Sequence, residues 1–178
     1  MHTFSRRALF ALPVFVAFAA SADEAVTDTL VMKLKDGDVV IRLRPDLAPK
    51  HVKQIQALVK RKFYDGIVFH RVIPGFMAQT GDPTGTGTGG SDLPNIPAEF
   101  TKTPFKRGIL GMARSQSPNS ANSQFFICFA DSSFLDGKYT VFGEVVSGMD
   151  NVDGIKPGEP PADPDKIISL RFAPDAKK

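Results

Sequence analysis

Apolar and polar residues alternate along much of this chain with a period of two, the spacing of strands with one buried face. Thr29 to Lys35 alternates, Asp36-Gly37 is a hairpin signal, and Val39 to Leu43 alternates again, so this stretch reads as a β-hairpin. Further short strands are expected at Gly108 to Ala113, Ser123 to Ala130, Tyr139 to Val146 and Lys166 to Phe172. Within Ser123 to Ala130, alternation sets Gln124, Phe126 and Cys128 on one face, with Phe125, Ile127 and Phe129 on the other. Helical spacing replaces this pattern between Pro45 and Phe63, where Val52, Ile55, Val59 and Phe63 form one apolar stripe. Pro45 and Pro49 fit only the opening turn of that helix or the residues before it. Lys50, Lys53, Lys60, Arg61 and Lys62 are its solvated remainder. Met149 to Ile155 reads as a second, short helix, and Lys156 to Asp165 as a Pro/Gly linker. Many short strands between turns, with one helix early and another late, predict a mainly β fold, a closed antiparallel barrel capped by helices.

The first 22 residues follow a different pattern. Arg6 and Arg7 precede the apolar run Ala8 to Ala20, and Ala20-Ser21-Ala22 has the small-x-small form of a cleavage site. The run is shorter than the roughly 20 residues a spanning helix needs. Residues 1–22 are therefore expected to be a cleaved signal peptide, with a mature start near Asp23 or an alternative cut at Ala19. Ser5-Arg6-Arg7 suits an ordinary or a twin-arginine export signal. The expected product is an exported protein, periplasmic or secreted, with residues 23–178 forming one domain with frayed ends.

The chain carries 22 basic and 19 acidic residues. Two of the basic ones lie in the signal and no acid does, so the mature net charge is about +1 by counting. That balance gives no support for nucleic-acid binding, which needs a clustered basic face. The single cysteine, Cys128, excludes an internal disulfide and reads as a small buried hydrophobe.

The stretch with chemical character is Phe69 to Gly81, FHRVIPGFMAQTG: an extended segment, a turn at Pro74-Gly75 and a second extended segment. Strict alternation places Arg71 on one face with Ile67, Phe69 and Ile73. A guanidinium among apolar neighbours is either an edge-strand arginine whose head reaches into water or a cation held for use. Gln79, on the facing segment, offers an amide carbonyl that could hold it. Pro83 to Pro97 is a Gly/Thr-rich loop without the Gly-Lys-Ser/Thr of a phosphate-binding loop.

FHRVIPGFMAQTGD, GTGTGG, LGMARSQSPNSANSQFFI and FLDGKYTVFGEVVSGMD, in that order, resemble the cyclophilin family of peptidyl-prolyl cis-trans isomerases. The resemblance covers about Thr29 to Phe172. It implies a closed eight-stranded antiparallel β-barrel capped by two α-helices, with a substrate groove on its outer side. It further implies isomerisation of Xaa-Pro bonds in proline-containing unfolded or extended polypeptides, by a monomer without cofactor or metal. Carried onto this chain, the catalytic arginine is Arg71, steadied by Gln79. The proline pocket is Phe76, Met77, Phe126 and Leu135, and the groove is lined by His70, Gly87, Ala113, Arg114, Ser115 and Gln124. Two departures from the family pattern stand out. Phe134 occupies a position that is commonly Trp in cyclosporin-binding members; without the indole N–H, weak cyclosporin binding is expected. Tyr139 stands where His is frequent and Arg114 where Asn is, which points to altered substrate choice with catalysis retained.

Other chemistries fit less well. Only His51, His70 and Cys128 of the mature chain are soft metal donors, without ligand spacing. No G-x-S-x-G elbow is present. The acid pairs Asp36/Asp38 and Asp163/Asp165 are expected to face solvent, and Phe69, Phe125 and Ile127 to be core. A sugar-binding β domain needs exposed aromatic platforms, yet Trp is absent and only Tyr64 and Tyr139 are present. A non-catalytic holdase with the same pocket is the remaining alternative; a rate measurement separates the two.

Overall fold

The computed structural model describes residues 27–174. The expected signal peptide and the last four residues lie outside them. Eight strands form one antiparallel sheet: β1 (Thr29–Leu34), β2 (Gly37–Leu43), β3 (Arg71–Ile73), β4 (Met77–Thr80), β5 (Ile109–Met112), β6 (Phe125–Cys128), β7 (Val141–Ser147) and β8 (Ser169–Phe172). They are ordered β3-β4-β6-β5-β7-β2-β1-β8. The expected barrel is present, but its seam is stitched rather than laddered. Edge strands β3 and β8 do not pair; the segments before them do, through a Val68–Lys166 bridge and bonds from Phe69 N–H to Asp165 O (2.8 Å) and Ile167 N–H to Ile67 O (2.9 Å).

The β1–β2 hairpin shows how alternation becomes a core. Leu30, Met32 and Leu34 of β1 point inward beside Val39, Ile41 and Leu43 of β2, each almost fully buried. Leu34 pairs with Gly37, so the turn is Lys35-Asp36, one residue earlier than the Asp-Gly signal suggested.

Helix α1 (Pro49–Lys60) is shorter than expected at both ends. Pro45 belongs to a preceding turn in which Leu47 and Ala48 N–H both bond to Arg44 O, and Phe63 lies past the helix. Val52, Ile55, Leu58 and Val59 are its buried face. Ala48 has no side-chain cap to offer, so the first-turn donors are met from elsewhere. Glu99 accepts from Lys50 and His51 N–H (both 3.1 Å) and sits 2.6 Å from His51 Nδ1. Helix α2 (Met149–Asp153) buries Val152. The inner core is continuous from α1 through Tyr64, Phe69, Phe125, Ile127 and Phe142 to β8. Tyr64 is no binding platform: it is fully buried and its hydroxyl donates to Ser123 O at 3.0 Å.

A second apolar cluster lies on the outside of the sheet: Met77, Phe105, Phe126, Cys128, Leu135 and Val141. All four β6 residues are buried because β6 separates the two clusters.

Candidate active site

The outer face of β3, β4 and β6 carries a cavity of about 390 Å³. Its floor is Met77 from β4 and Phe126 from β6, both almost fully buried. Leu135, at the end of a 3-10 turn (Ser133–Leu135), and Phe76 form the walls. Phe126 can lie flat on the sheet only because residue 111 of β5 is glycine. A Cβ there would stand 2.3 Å from Phe126 Cζ and 2.6 Å from a Phe105 ring carbon. Phe105 stacks beneath Phe126 at 5.8 Å and Tyr139 meets it edge-on at 5.9 Å, so the ring is clamped.

Arg71 reaches the same cavity by a route that strict alternation does not describe. Only Arg71–Ile73 is strand; before it the chain makes one isolated bridge, at Val68. Ile67, Phe69 and Val72 all enter the inner core, so the inside-outside phase slips by one residue between Phe69 and Val72. His70 and Arg71, though consecutive, both line the cavity, and Arg71 does not share the face of Phe69. The arginine is a half-exposed edge-strand residue at the mouth of an apolar hollow.

Its partner differs from the expected one. Arg71 Nε donates to Glu159 Oε1 at 2.6 Å, in an exposed ion pair. Gln79, directly across the β3–β4 ladder, donates instead to Gln124 Oε1 at 2.8 Å. Gln124 in turn donates to Gly87 O (3.0 Å) and Gly89 O (2.8 Å), tying the Gly/Thr loop to the barrel. The terminal nitrogens of Arg71 make no hydrogen bond to another described residue.

His70 is almost fully buried, with neither ring nitrogen hydrogen-bonded to a described residue. Burial holds its pKa below the ordinary imidazole value; the Arg71 charge acts in the same direction and Asp82 opposes it. Neutral imidazole is the expected form at pH 7.

Asp82 was not singled out by the sequence, yet it organises the loop. Its buried carboxylate accepts from Thr84 N–H and Oγ1 (2.8 Å each), Gly87 N–H (2.6 Å) and Gly89 N–H (3.1 Å). Desolvation alone raises the pKa of this acid, but those donors outweigh it and hold the value at about 2. A carboxylate directly after a strand and before Thr-Gly repeats is the available signal.

Arg114 is held by backbone carbonyls and an aromatic face. It donates to the carbonyls of Ser115 (2.9 Å) and Lys138 (2.8 Å) and lies 4.5 Å over the Tyr139 ring. Ala113, Arg114, Tyr139 and Gly87 line the cavity with the residues above. Ser115 and Gln124 lie in an adjoining polar hollow that shares Gln79, Gly87, Ala113 and Arg114 with it. Phe134 is 59% exposed at the rim, its ring 5.2 Å from that of Phe76. Gly85, Thr86, Glu159 and Pro160 also line the cavity and were not expected. Of the acids expected to face solvent, Asp165 does not: it is largely covered and accepts from Lys35 Nζ and Lys156 N–H. Among the described residues no group of three His, Cys, Asp or Glu is placed to hold a metal ion.

The model of the family "cyclophilin type peptidyl-prolyl cis-trans isomerase/CLD" matches residues 29–172. The chain belongs to this family. Probable peptidyl-prolyl cis-trans isomerases of Brucella suis and Brucella melitensis are each 54% identical to it, over 96% of this chain and 98% of theirs. Solved cyclophilins share the fold at 30% identity. The one from Hirschia baltica has a TM-score of 0.76, covering 83% of this chain and 74% of that one. A Cryptosporidium parvum cyclophilin, also solved in the presence of the dipeptide Ala-Pro, has a TM-score of 0.77, covering 83% of this chain and 99% of that one.

As a cyclophilin-type isomerase, the protein accelerates cis-trans exchange of Xaa-Pro bonds. The outer-face cavity is the candidate site for that reaction. Rotation faces a barrier of about 18–20 kcal/mol from C–N double-bond character, and no covalent bond has to break. The cavity offers a ring-sized apolar floor and two arginines, of which Arg114 has its terminal nitrogens on backbone carbonyls and Arg71 is bonded only through Nε among the described residues. No helix among the described residues is long and apolar enough to cross a membrane.

Proposed function

We propose that Arg71 catalyses the isomerisation by hydrogen bonding to the prolyl imide nitrogen while Phe76, Met77, Phe126 and Leu135 hold the ring. The observation that carries this reading is that, of the two arginines lining that cavity, Arg71 is held through Nε with its terminal nitrogens unbonded to described residues, whereas those of Arg114 are taken by backbone carbonyls. As the bond twists, amide resonance is lost and the nitrogen lone pair localises. A hydrogen bond to that lone pair is stronger in the transition state than in either ground state, which is what lowers a barrier. The apolar grip is indifferent to sequence outside proline, so many extended polypeptides are substrates. The Ala-Pro dipeptide named with the Cryptosporidium relative is of this class. Residues 1–22 add an export signal, and the clients are exported proteins whose folding waits on prolyl exchange, which takes tens to hundreds of seconds uncatalysed.

One experiment tests both parts. The full chain is expressed with its own leader, and the exported fraction is analysed by mass spectrometry and by a protease-coupled prolyl-peptide assay. The expected result is a chain beginning near Asp23, active in the wild type. In Arg71→Ala, kcat/KM is expected to fall by roughly 10²–10³, the scale of losing one preorganised transition-state donor, with unchanged thermal unfolding. Retention of the intact leader in the cytoplasm refutes export, and a near-normal rate in Arg71→Ala refutes the mechanism.

A further inference from the structure

The segment from Lys156 to Asp165 turns out to be a fixed strap against the groove. Its start is pinned to edge strand β3 at Gly158: Val72 N–H donates to Gly158 O at 2.8 Å, and Gly158 N–H to Val72 O at 2.9 Å. Glycine is required at that point, because φ is +147° and a Cβ would lie 2.5 Å from Pro161 Cα. The strap's base is held by Asp165, which accepts from Lys156 N–H (2.8 Å) and Lys35 Nζ (3.0 Å). The residue after the pinned glycine is Glu159, and the residue before Val72 is Arg71. The backbone pairing therefore brings these two side chains together.

An exposed ion pair by itself says little. Three features distinguish this one. The acid comes from a backbone-anchored strap, it engages Nε and leaves the terminal nitrogens unbonded to described residues, and both side chains line the same cavity with Pro160. We propose that Glu159 is a positioning and specificity-determining residue. It sets the plane of the Arg71 guanidinium toward the prolyl pocket and offsets its charge at the rim, so that basic residues beside the Xaa-Pro bond are tolerated. This rests on the assignment of Arg71 above and adds to it a cause of charge selectivity.

The test uses the whole mature protein and three matched proline tetrapeptides carrying Lys, Gln or Glu beside the Xaa-Pro bond. Glu159→Gln removes the charge but keeps an oxygen that accepts from Nε; Glu159→Ala removes both. In Glu159→Ala, kcat on the Gln peptide is expected to fall roughly threefold to tenfold with little change in KM, the scale of one lost hydrogen bond. Glu159→Gln is expected to regain part of that rate. In both variants the ratio of kcat/KM for the Lys peptide to that for the Glu peptide is expected to fall by roughly tenfold. A unit charge about 6 Å away in water changes a rate roughly threefold, and exchanging Lys for Glu counts it twice. An unchanged ratio in Glu159→Gln overturns the selectivity role, and wild-type kcat in Glu159→Ala overturns the positioning role. An Arg71→Ala control separates the two layers. If it keeps its rate, the Arg71 mechanism falls; if it loses its rate while both Glu159 variants match wild type, only the role of Glu159 falls.

Discussion

The two faces of β6 are equally buried and built to different ends. Phe125 and Ile127 point into the barrel, where Phe125 meets Tyr64 at 5.5 Å and Phe142 at 5.9 Å, both near edge-on. Phe126 and Cys128 point outward into a smaller cluster that stops short of closing and leaves a cavity over Phe126. The inner face is enclosed by sheet and helix on every side. The outer face is enclosed by a 3-10 turn, a Gly/Thr loop and a strap, and the gap between them is the site. Cys128 belongs to that outer cluster as packing: burial pushes its thiol up to about 11, so almost no thiolate exists near neutral pH.

Substituting the two neighbouring phenylalanines gives the sharpest test of this contrast. Phe125→Ala is expected to cost about 3–5 kcal/mol of stability, the range for deleting a buried aromatic ring, measured by urea unfolding. Phe126→Ala opens into an existing cavity and is expected to cost less stability. Its damage belongs to function: KM for a prolyl peptide rises because the floor of the ring pocket is gone. Equal stability losses, with KM unchanged in Phe126→Ala, break the distinction between the faces.

The inner face was legible from alternation alone. Leu30, Met32, Leu34, Val39, Ile41 and Leu43 fall inside as the pattern requires, and so do Phe69, Phe125 and Ile127. The outer site was legible only by resemblance, and in part. Arg71 shows why: a one-residue phase slip before β3 decides which way it points, and period-two reasoning cannot see a slip that the seam of the barrel imposes. Glu159 shows the larger difficulty. It lies 88 residues beyond Arg71, and the pairing of Val72 with Gly158 that brings it back leaves no local pattern. Gln79 faces Arg71 across the ladder, as the hairpin predicts, but its side chain is engaged by Gln124.

The loop that roofs the outer face depends on one buried acid, so its stability follows pH in a way the barrel interior does not. Asp82 has a pKa of about 2 in the fold against an ordinary 3.8. A depressed carboxylate stabilises the folded state above its unfolded value and loses that contribution as pH falls through the folded one. The shift corresponds to about 2 kcal/mol at neutral pH, to order of magnitude. Asp82→Asn is expected to lose roughly that amount at pH 7, with the gap to wild type closing between pH 4 and 2. A gap that persists unchanged at pH 2 places the loss in altered packing of the Gly/Thr loop instead of in charge.

The smallest expected effect lies at the rim, where Phe134 is exposed and its ring meets that of Phe76. Phe134→Trp has room for the larger ring, and stability should change by no more than about 0.5 kcal/mol, as for most exposed positions. The substitution adds an indole N–H that Phe cannot supply. Cyclosporin is therefore expected to inhibit the variant more strongly, by roughly tenfold if the new donor forms one net hydrogen bond, while turnover of a prolyl peptide stays near wild type. Because the chain contains no other tryptophan, the indole emission of the variant reports binding independently of activity. Inhibition equal in the two proteins means that the wild-type rim already meets the inhibitor without a donor, and the contrast between an adaptable rim and a fixed floor loses its support there.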